Sequence, residues 1–192
     1  MKKTIILYLL FFTTLSAQVD TNVNFKKAFS IIDFGVELQA YPTGLLPGLR
    51  VETNLGKRDA LNFRVAAQII NHFGFGLHDE EIGEGGGFSV GYRHYFLKKP
   101  MRGFFLGARI DTWFNHIRWK RFSPVLQSGF SDIIVLQPTA ETGWLFRLKN
   151  DRWFIAPSIA FGYEWNVKVT GELTGFGTII LGGVSFGYTF KP

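Results

Sequence analysis

The sequence contains no cysteine among its 192 residues. Without cysteine there is no disulfide framework, zinc–thiolate cluster, catalytic thiol or lipid anchor on a cysteine to find. Charged residues are also few, at 19% of the chain. No apolar run reaches the roughly 20 residues that a membrane-spanning helix requires. These absences argue against a helical membrane protein, and the length fits one domain.

Glycine and aromatic residues are plentiful instead, with 22 glycines and 17% aromatic residues. The segment Gly103–Trp119 shows how they are arranged. Its even-numbered positions up to residue 114 are apolar apart from a threonine, namely Phe104, Leu106, Ala108, Ile110, Thr112 and Phe114. Its odd-numbered positions include Arg109, Asp111 and Asn115. Alternation over more than ten residues is too long for an ordinary half-buried strand, and it matches a tilted strand with one face in lipid.

The N-terminus has the three parts of an export signal. Lys2 and Lys3 precede an apolar stretch at Ile5–Thr14, and small residues follow up to Ala17. The stretch is about half as long as a membrane anchor, so we predict a signal peptide at 1–17. Residues 18–31 are predicted to form a lead-in segment to the first strand, and the alternative for them is a short amphipathic or plug segment.

Without the two lysines of the signal peptide, the chain has 19 basic and 15 acidic residues, a net charge of +4. That excess is too small to indicate nucleic-acid binding, and anionic lipid head groups account for it.

The same alternation recurs eight times between residues 32 and 192. The predicted strands are Ile32–Tyr41, Gly48–Leu55, Leu61–Phe73, Gly87–Leu97, Gly103–Trp119, Asp132–Leu148, Trp153–Trp165 and Gly177–Phe190. Connections after the second, fourth and sixth strands are short, and those after the third, fifth and seventh are long. The sequence therefore predicts an all-β protein, an eight-stranded antiparallel up-and-down transmembrane β-barrel with its short turns in the periplasm. Pro138 and Pro157 interrupt two of the strands and are expected to mark bulges.

Outward tryptophans set the expected height of the membrane. Trp153 and Trp165 lie twelve residues apart on one face, which spans roughly 30 Å in a tilted strand. We assign Trp119 and Trp144 with them to aromatic girdles. The alternative is a soluble lipocalin-type barrel, whose apolar face points inward. Aromatic residues at both ends of one strand, with alternating loop lengths, favour the membrane.

Inward charges are balanced in number. The set comprises Glu37, Glu52, Asp111, Glu141 and Glu164 against Arg50, Arg64, Arg93, Arg109 and Arg147. An eight-stranded barrel is just wide enough for side chains to fill. Charges buried there must pair, because unpaired burial is too costly. A matched ladder therefore predicts a filled lumen, whereas an ion-selective pore would show an excess of one sign.

The segment Gly91–Phe96, a short basic turn and Gly103–Gly107 together resemble the central hairpin of small eight-stranded outer-membrane barrels. The resemblance is to the OmpA transmembrane-domain kind and to uncharacterised Gram-negative barrels, and it covers the whole mature chain. It implies the fold and an outer-membrane location, and it transfers no catalytic residue. Such barrels often end in an aromatic residue used for assembly, and Phe190 stands two residues from this C-terminus. The barrel-assembly machinery is therefore an expected partner.

Several motifs are only weak indications of catalysis or metal binding. Gly87–Gly91 fits a Gly-x-Ser-x-Gly elbow, but that elbow needs a strand–turn–helix, and here a strand continues. His94 and His116 point outward near opposite membrane faces, and neither has both a serine and a carboxylate across the strand. His78–Glu81 with Glu84 has donors for a divalent cation, although a solvated acidic loop is the preferred interpretation. We therefore predict no catalytic residue, no metal site and no cofactor.

A basic cluster follows the fifth strand. Arg118, Lys120 and Arg121 alternate with aromatic residues just beyond the outer girdle, where they suit lipopolysaccharide phosphates. The leading hypothesis is a non-enzymatic outer-membrane barrel with a structural or surface-interaction role, in contact with outer-membrane lipid and lipopolysaccharide and not with nucleic acid. The alternatives are a lipid-modifying enzyme and a narrow channel or small-ligand carrier.

Overall fold

The computed structural model describes residues 29–74, 78–175 and 177–191, and eight β-strands run through them. They are β1 (Ile32–Tyr41), β2 (Gly44–Asn54), β3 (Asp59–Phe73), β4 (Glu80–Tyr95), β5 (Gly103–Arg121), β6 (Gln127–Leu148), β7 (Trp153–Thr170) and β8 (Gly177–Phe190). None of the described segments is a helix long and apolar enough to cross a membrane. The predicted signal peptide at 1–17, and the lead-in up to residue 28, lie outside the described residues.

Each strand pairs antiparallel with its neighbour in sequence, and β1 pairs with β8 to close the barrel. The closing seam runs from the Ile32–Phe190 pair to the Ala40–Gly182 pair without a break in register. Closure leaves no free sheet edge, so every strand has hydrogen-bonding partners on both sides. The predicted eight-stranded up-and-down barrel is confirmed.

Burial alternates along the strands, strictly so in β1, and the apolar face is the exposed one. In β1, Phe34, Val36 and Leu38 are about half exposed, whereas Asp33 and Glu37 are buried. In a water-soluble barrel the apolar residues would face the interior. An apolar outside around a polar inside has lipid as its surroundings, which makes this a transmembrane barrel.

The strands are longer than predicted on the side of the long loops. β4 begins at Glu80 rather than Gly87, and β6 begins at Gln127 rather than Asp132. The acidic, glycine-rich stretch that was interpreted as a loop pairs instead with β5, for example Gly85 with Asn115. Above the membrane the outer face of a strand no longer has to be apolar, so the regular alternation that marks a strand is lost there although the hydrogen bonding continues.

This extension makes the barrel wall uneven. β1 and β2 have 10 and 11 residues, whereas β5 and β6 have 19 and 22. The outer rim is therefore low at β1–β2 and tall at β5–β6.

The predicted bulges at the prolines are wrong: Ile110 pairs with Pro138, and Val184 with Pro157, in regular register. The register shifts instead between Ile134 and Val135.

The interior consists of three layers. An outer apolar cluster comprises Tyr41, Leu46, Ile70, Trp113, Ile117, Ile133, Val135, Ala160, Ile179 and Leu181. An inner apolar cluster comprises Ala60, Tyr95, Met101, Phe105, Leu145, Phe154 and Ala156. Met101 belongs to the β4–β5 turn and is 1% exposed, so that turn folds its side chain into the periplasmic end of the barrel. The charged side chains lie between the two clusters.

Candidate functional site

Eight charged side chains form the middle layer, and all of them are almost fully buried. They are Glu37, Arg50, Glu52, Arg64, Arg93, Arg109, Asp111 and Glu141. Each stands on the inward face because strand alternation places it there. Four carboxylates and four guanidinium groups meet in this layer, which we call the charged network.

Arg64 joins one half of the bore. From β3 it donates to Glu37 Oε1 on β1 at 2.7 Å and to Asp111 Oδ1 on β5 at 2.8 Å. It also donates to the side-chain oxygen of Gln39 and, through Nε, to Ser89 Oγ at 3.2 Å. One guanidinium group therefore links strands from facing parts of the wall.

Arg93, on β4, links carboxylates of two other strands in the same way. Its Nε and second amino nitrogen donate to the two Glu141 oxygens at 2.5 and 3.0 Å, a bidentate pair. Its other amino nitrogen donates to Glu52 Oε2 at 3.0 Å, and Tyr95 donates to Glu52 Oε1 at 2.5 Å. The guanidinium group also lies 4.2 Å from the centroid of the Phe105 ring. Arg93 thus ties β2 to β6 and rests on the inner apolar cluster.

Arg50 and Arg109 complete the charged network. Arg109 Nε lies 2.9 Å from Asp111, and its amino nitrogen lies 3.5 Å from Glu141 and 3.7 Å from Glu37. Arg50 pairs with Glu52 and donates to Ser185 Oγ on β8 at 3.0 Å. Every charge in the layer has an opposite charge beside it. The side chains therefore cross the bore and fill it at this level.

Two members of the predicted ladder lie elsewhere. Arg147 stands at the periplasmic end, where it pairs with Asp33 at 2.7 Å and donates to the Met101 carbonyl at 3.0 and 2.8 Å. Glu164 lies near the outer end, and no Lys or Arg among the described residues forms an ion pair with it. Asp33 was left out of the predicted ladder, although its inward position on β1 was a sufficient signal.

The aromatic belt contains three of the four predicted tryptophans. Trp144, Trp153 and Trp165 are exposed on the outer surface, at 43%, 38% and 51%. Trp153 stacks on Phe186 at 5.4 Å between ring centroids. The prediction that Trp119 belongs to the girdle is wrong, because its side chain is 6% exposed and lies inside the barrel mouth. It shares the odd-numbered, inward face of β5 with Arg109, so it does not belong to the girdle.

Trp119 packs against an acidic and histidine-containing cluster at that mouth. Its ring stacks on His78 with 4.5 Å between centroids. Glu81 accepts from His78 at 2.8 Å and from His72 at 2.9 Å, and His78 also meets Glu172 at 3.2 Å. The solvated acidic loop is therefore wrong, since Glu81 is buried within β4. Among the described residues no three His, Asp or Glu side chains are arranged to hold a metal ion.

The predicted basic cluster is divided by ion pairs. Lys120 pairs with Glu80 at 2.9 Å, and Arg121 with Glu172 at 3.2 Å. Arg118 stands exposed on the outward face of β5. The three side chains therefore do not form one anion-binding surface, and Arg118 alone faces outward without an ion pair among the described residues.

The motifs considered for catalysis have structural partners. Ser89, the centre of the Gly-x-Ser-x-Gly motif, is buried in mid-strand and accepts a hydrogen bond from Arg64. The outward His94 and His116 each meet a carboxylate, of Asp59 at 2.8 Å and of Asp132 at 2.6 Å. No serine in the described part of the chain hydrogen-bonds to either ring. The geometry is that of side-chain pairs at the membrane interface.

A closed eight-stranded antiparallel barrel, apolar outside and charged inside, defines the class of small transmembrane β-barrels of the outer-membrane type. No protein-family model and no curated protein matches the chain.

Three solved barrels are similar in structure. The N-terminal β-barrel domain of Pseudomonas aeruginosa OprF is 12% identical, covering 85% of this chain and 100% of that one, with a TM-score of 0.48. The second is Ail, the attachment invasion locus protein of Yersinia pestis, in a structure with the heparin analogue sucrose octasulfate. Ail is 11% identical, covering 85% of this chain and 99% of that one, with a TM-score of 0.48. Neisserial surface protein A is 9% identical over 84% and 95%, with a TM-score of 0.41. At these values no function passes from those proteins to this chain.

Proposed function

We propose that this protein is a non-enzymatic, non-conducting barrel of the bacterial outer membrane, with a role in envelope structure or surface interaction. The observation that carries the proposal is the charged network across the bore. Arg64 and Arg93 each bind carboxylates from two other strands, and apolar clusters lie above and below them. A lumen that is closed by the charged network and by the inner apolar cluster is suited to rigidity rather than to passage.

The tall side of the rim supports the surface-interaction part of the proposal. The connection between β5 and β6 carries Phe122, Val125 and Leu126, which are 55%, 65% and 68% exposed. Phe130 follows on β6 at 62%. Exposed apolar side chains grouped at the tip of a hairpin mark a contact surface on an otherwise polar rim.

Outer-membrane lipid surrounds the barrel in this proposal, and lipopolysaccharide contacts its outer leaflet side. The exposed guanidinium group of Arg118 is available for a lipopolysaccharide phosphate. The barrel-assembly machinery inserts the chain after export directed by the signal peptide. Fractionation tests the location: the protein should appear with outer membranes, and a soluble periplasmic pool would contradict the proposal.

Conductance separates this proposal from a channel. Pure protein in planar bilayers should give no steady single-channel current, because paired side chains occupy the bore. Insertion is checked independently by faster gel migration of the unheated barrel, since closed barrels resist unfolding by detergent. A stable, ion-selective current from inserted protein would favour the channel.

Lipid analysis separates it from a lipid-modifying enzyme. We expect the lipid A mass spectrum of a deletion strain to match that of the parent strain. His94 and His116 have carboxylate partners, and no serine among the described residues hydrogen-bonds to either ring, so neither forms the serine–histidine pair of a hydrolase. A lipid A species that is lost on deletion and restored by complementation would overturn the non-enzymatic assignment.

A further inference from the structure

A cavity of about 380 Å³ lies inside the outer half of the barrel, above the charged network. Pro42 and Thr43 of the β1–β2 turn line it, and so does Gly175 before β8, so the cavity lies beside the low part of the rim. Ile70 and Ile133 give the cavity an apolar wall, and polar side chains, among them Gln68, share the lining. Its volume is within the range of small-molecule sites.

Two buried amides lie in the wall of this cavity. Gln68 and Asn115 are 4% and 7% exposed. Gln68 Oε1 and Asn115 Oδ1 have no hydrogen-bond partner among the described residues. The amide nitrogen of Gln68 already donates to the Tyr41 hydroxyl at 2.9 Å, so the remaining group is an acceptor. Both oxygens have almost no accessible surface, so they are turned into the wall and a ligand in the cavity does not reach them.

The charge of the cavity selects the ligand chemistry. Glu81 and Glu164 line it, from β4 and β7, and no Lys or Arg from the described part of the chain is among its lining residues. Glu81 is held by His72 and His78, whereas Glu164 has no ion pair among the described residues. A carboxylate that has no ion pair in a confined cavity is stabilised by a cation placed beside it.

We infer that this cavity binds a small primary amine with a compact apolar body. The ammonium group is held by the Glu164 carboxylate. The apolar body packs against Ile70 and Ile133. An apolar cavity of about 150 Å³ admits benzene, so this one has room for a single ring with a short aminoalkyl chain. 

This site goes beyond the structural role proposed above. The charged network closes the bore beneath the cavity, through Arg64 and its partners on β1 and β5. An amine that enters from the outer rim therefore stops there. The site captures a ligand at the cell surface and does not pass it to the periplasm.

Equilibrium dialysis with the whole mature barrel in nanodiscs tests the inference. The probe is radiolabelled 2-phenylethylamine, and empty nanodiscs give the background of membrane partitioning. We expect saturable binding of one amine per barrel. Glu164→Gln should weaken binding at least tenfold, while Glu84→Gln, the same change on the exposed outer surface, should leave it unchanged. The neutral analogue 2-phenylethanol should bind far more weakly than the amine.

A second variant keeps the test decisive if Glu164→Gln does not fold. Ile179→Phe adds volume to the inner wall of the cavity, where Ile179 is a lining residue. It should abolish binding while unheated gel migration reports an intact barrel. Binding that persists in both folded variants, equal binding of alcohol and amine, or no binding above empty nanodiscs would each overturn the inference.

Discussion

At the scale of single residues, the interior of this barrel depends on charge pairing. Arginine in a narrow lumen loses its hydration, and only a carboxylate at hydrogen-bonding distance offsets that loss. The bidentate contact of Arg93 with Glu141 joins two almost fully buried side chains, both at 1% exposure or below. Arg93 is therefore the residue at which the pairing is best tested.

Arg93→Leu should destabilise the barrel by about 3–5 kcal/mol, because it leaves the Glu141 carboxylate without its nearest cation. Glu52 keeps Arg50 and Tyr95 as partners, so the main loss is at Glu141. The measurement is the free energy of unfolding in urea, with the barrel in lipid vesicles.

The double variant Arg93→Leu, Glu141→Leu is the control for that interpretation. It removes both charges, so part of the lost stability should return. If the double variant is as unstable as the sum of its single variants, the two residues do not act as a pair.

Ile110 tests which face of β5 meets lipid. Ile110→Arg should cost roughly 2–4 kcal/mol of unfolding free energy, since the side chain lies on the apolar outer face between the levels of His94 and His116. Leu126→Arg introduces the same side chain at the tip between β5 and β6, where water surrounds it, and should cost little. Equal losses in the same urea titration would contradict the inward and outward assignment.

At the scale of elements, sequence alternation predicted the strands and their faces, but not their outer ends. The alternation is produced by lipid on one side and packed charge on the other, so it holds only within the bilayer. Outside the bilayer, β4 begins at Glu80 and β6 at Gln127, and no regular apolar alternation in the sequence indicates these strand ends. The prediction of Trp119 as a girdle residue rests on the preference of tryptophan for membrane interfaces. Its odd-numbered position on β5 indicates instead that its side chain faces inward, as it does in the structure.

The charged network shows the same limit. Alternation predicted that Arg64 and Asp111 both face inward, because each lies opposite an apolar neighbour on its strand. It could not predict that they meet at 2.8 Å from two strands apart. That contact depends on how the strands tilt and close into a barrel, which is a property of all eight strands together.

The seam between β1 and β8 requires small residues at one level. A Cβ at Gly187 would lie 2.5 Å from Gly35 Cα and 2.8 Å from the Phe154 ring, whereas one at Gly182 would meet nothing within 4 Å. Gly187→Ala should therefore lower the unfolding free energy by about 1–3 kcal/mol through overpacking. Gly182→Ala, on the same strand but facing outward, is the matched control and should change it by less than about 0.5 kcal/mol. Similar effects at both sites would show that the inner face has room at the seam.

At the scale of the whole molecule, closure converts a sheet with two edges into a body without any. The seam brings together residues about 150 positions apart in the chain, such as Val36 and Phe186, which are paired directly across β1 and β8. Closing so long a loop is entropically costly, and it is offset only when the whole wall forms. The barrel is therefore expected to open as one unit rather than strand by strand.

The absence of cysteine makes closure directly testable. In Val36→Cys, Phe186→Cys the two thiols face outward from paired positions, and paired Cα atoms in antiparallel strands lie about 4.5–5.5 Å apart, within disulfide range. Oxidation of the folded barrel should therefore cross-link one chain to itself, and the heated, unreduced protein should migrate as a compact ring that reduction converts to the linear form. Val36→Cys, Leu106→Cys places the second thiol on β5, across the barrel, and should give no intramolecular ring. If the seam pair also fails to cross-link while unheated migration shows a folded barrel, β1 and β8 are not paired and the closed barrel is wrong.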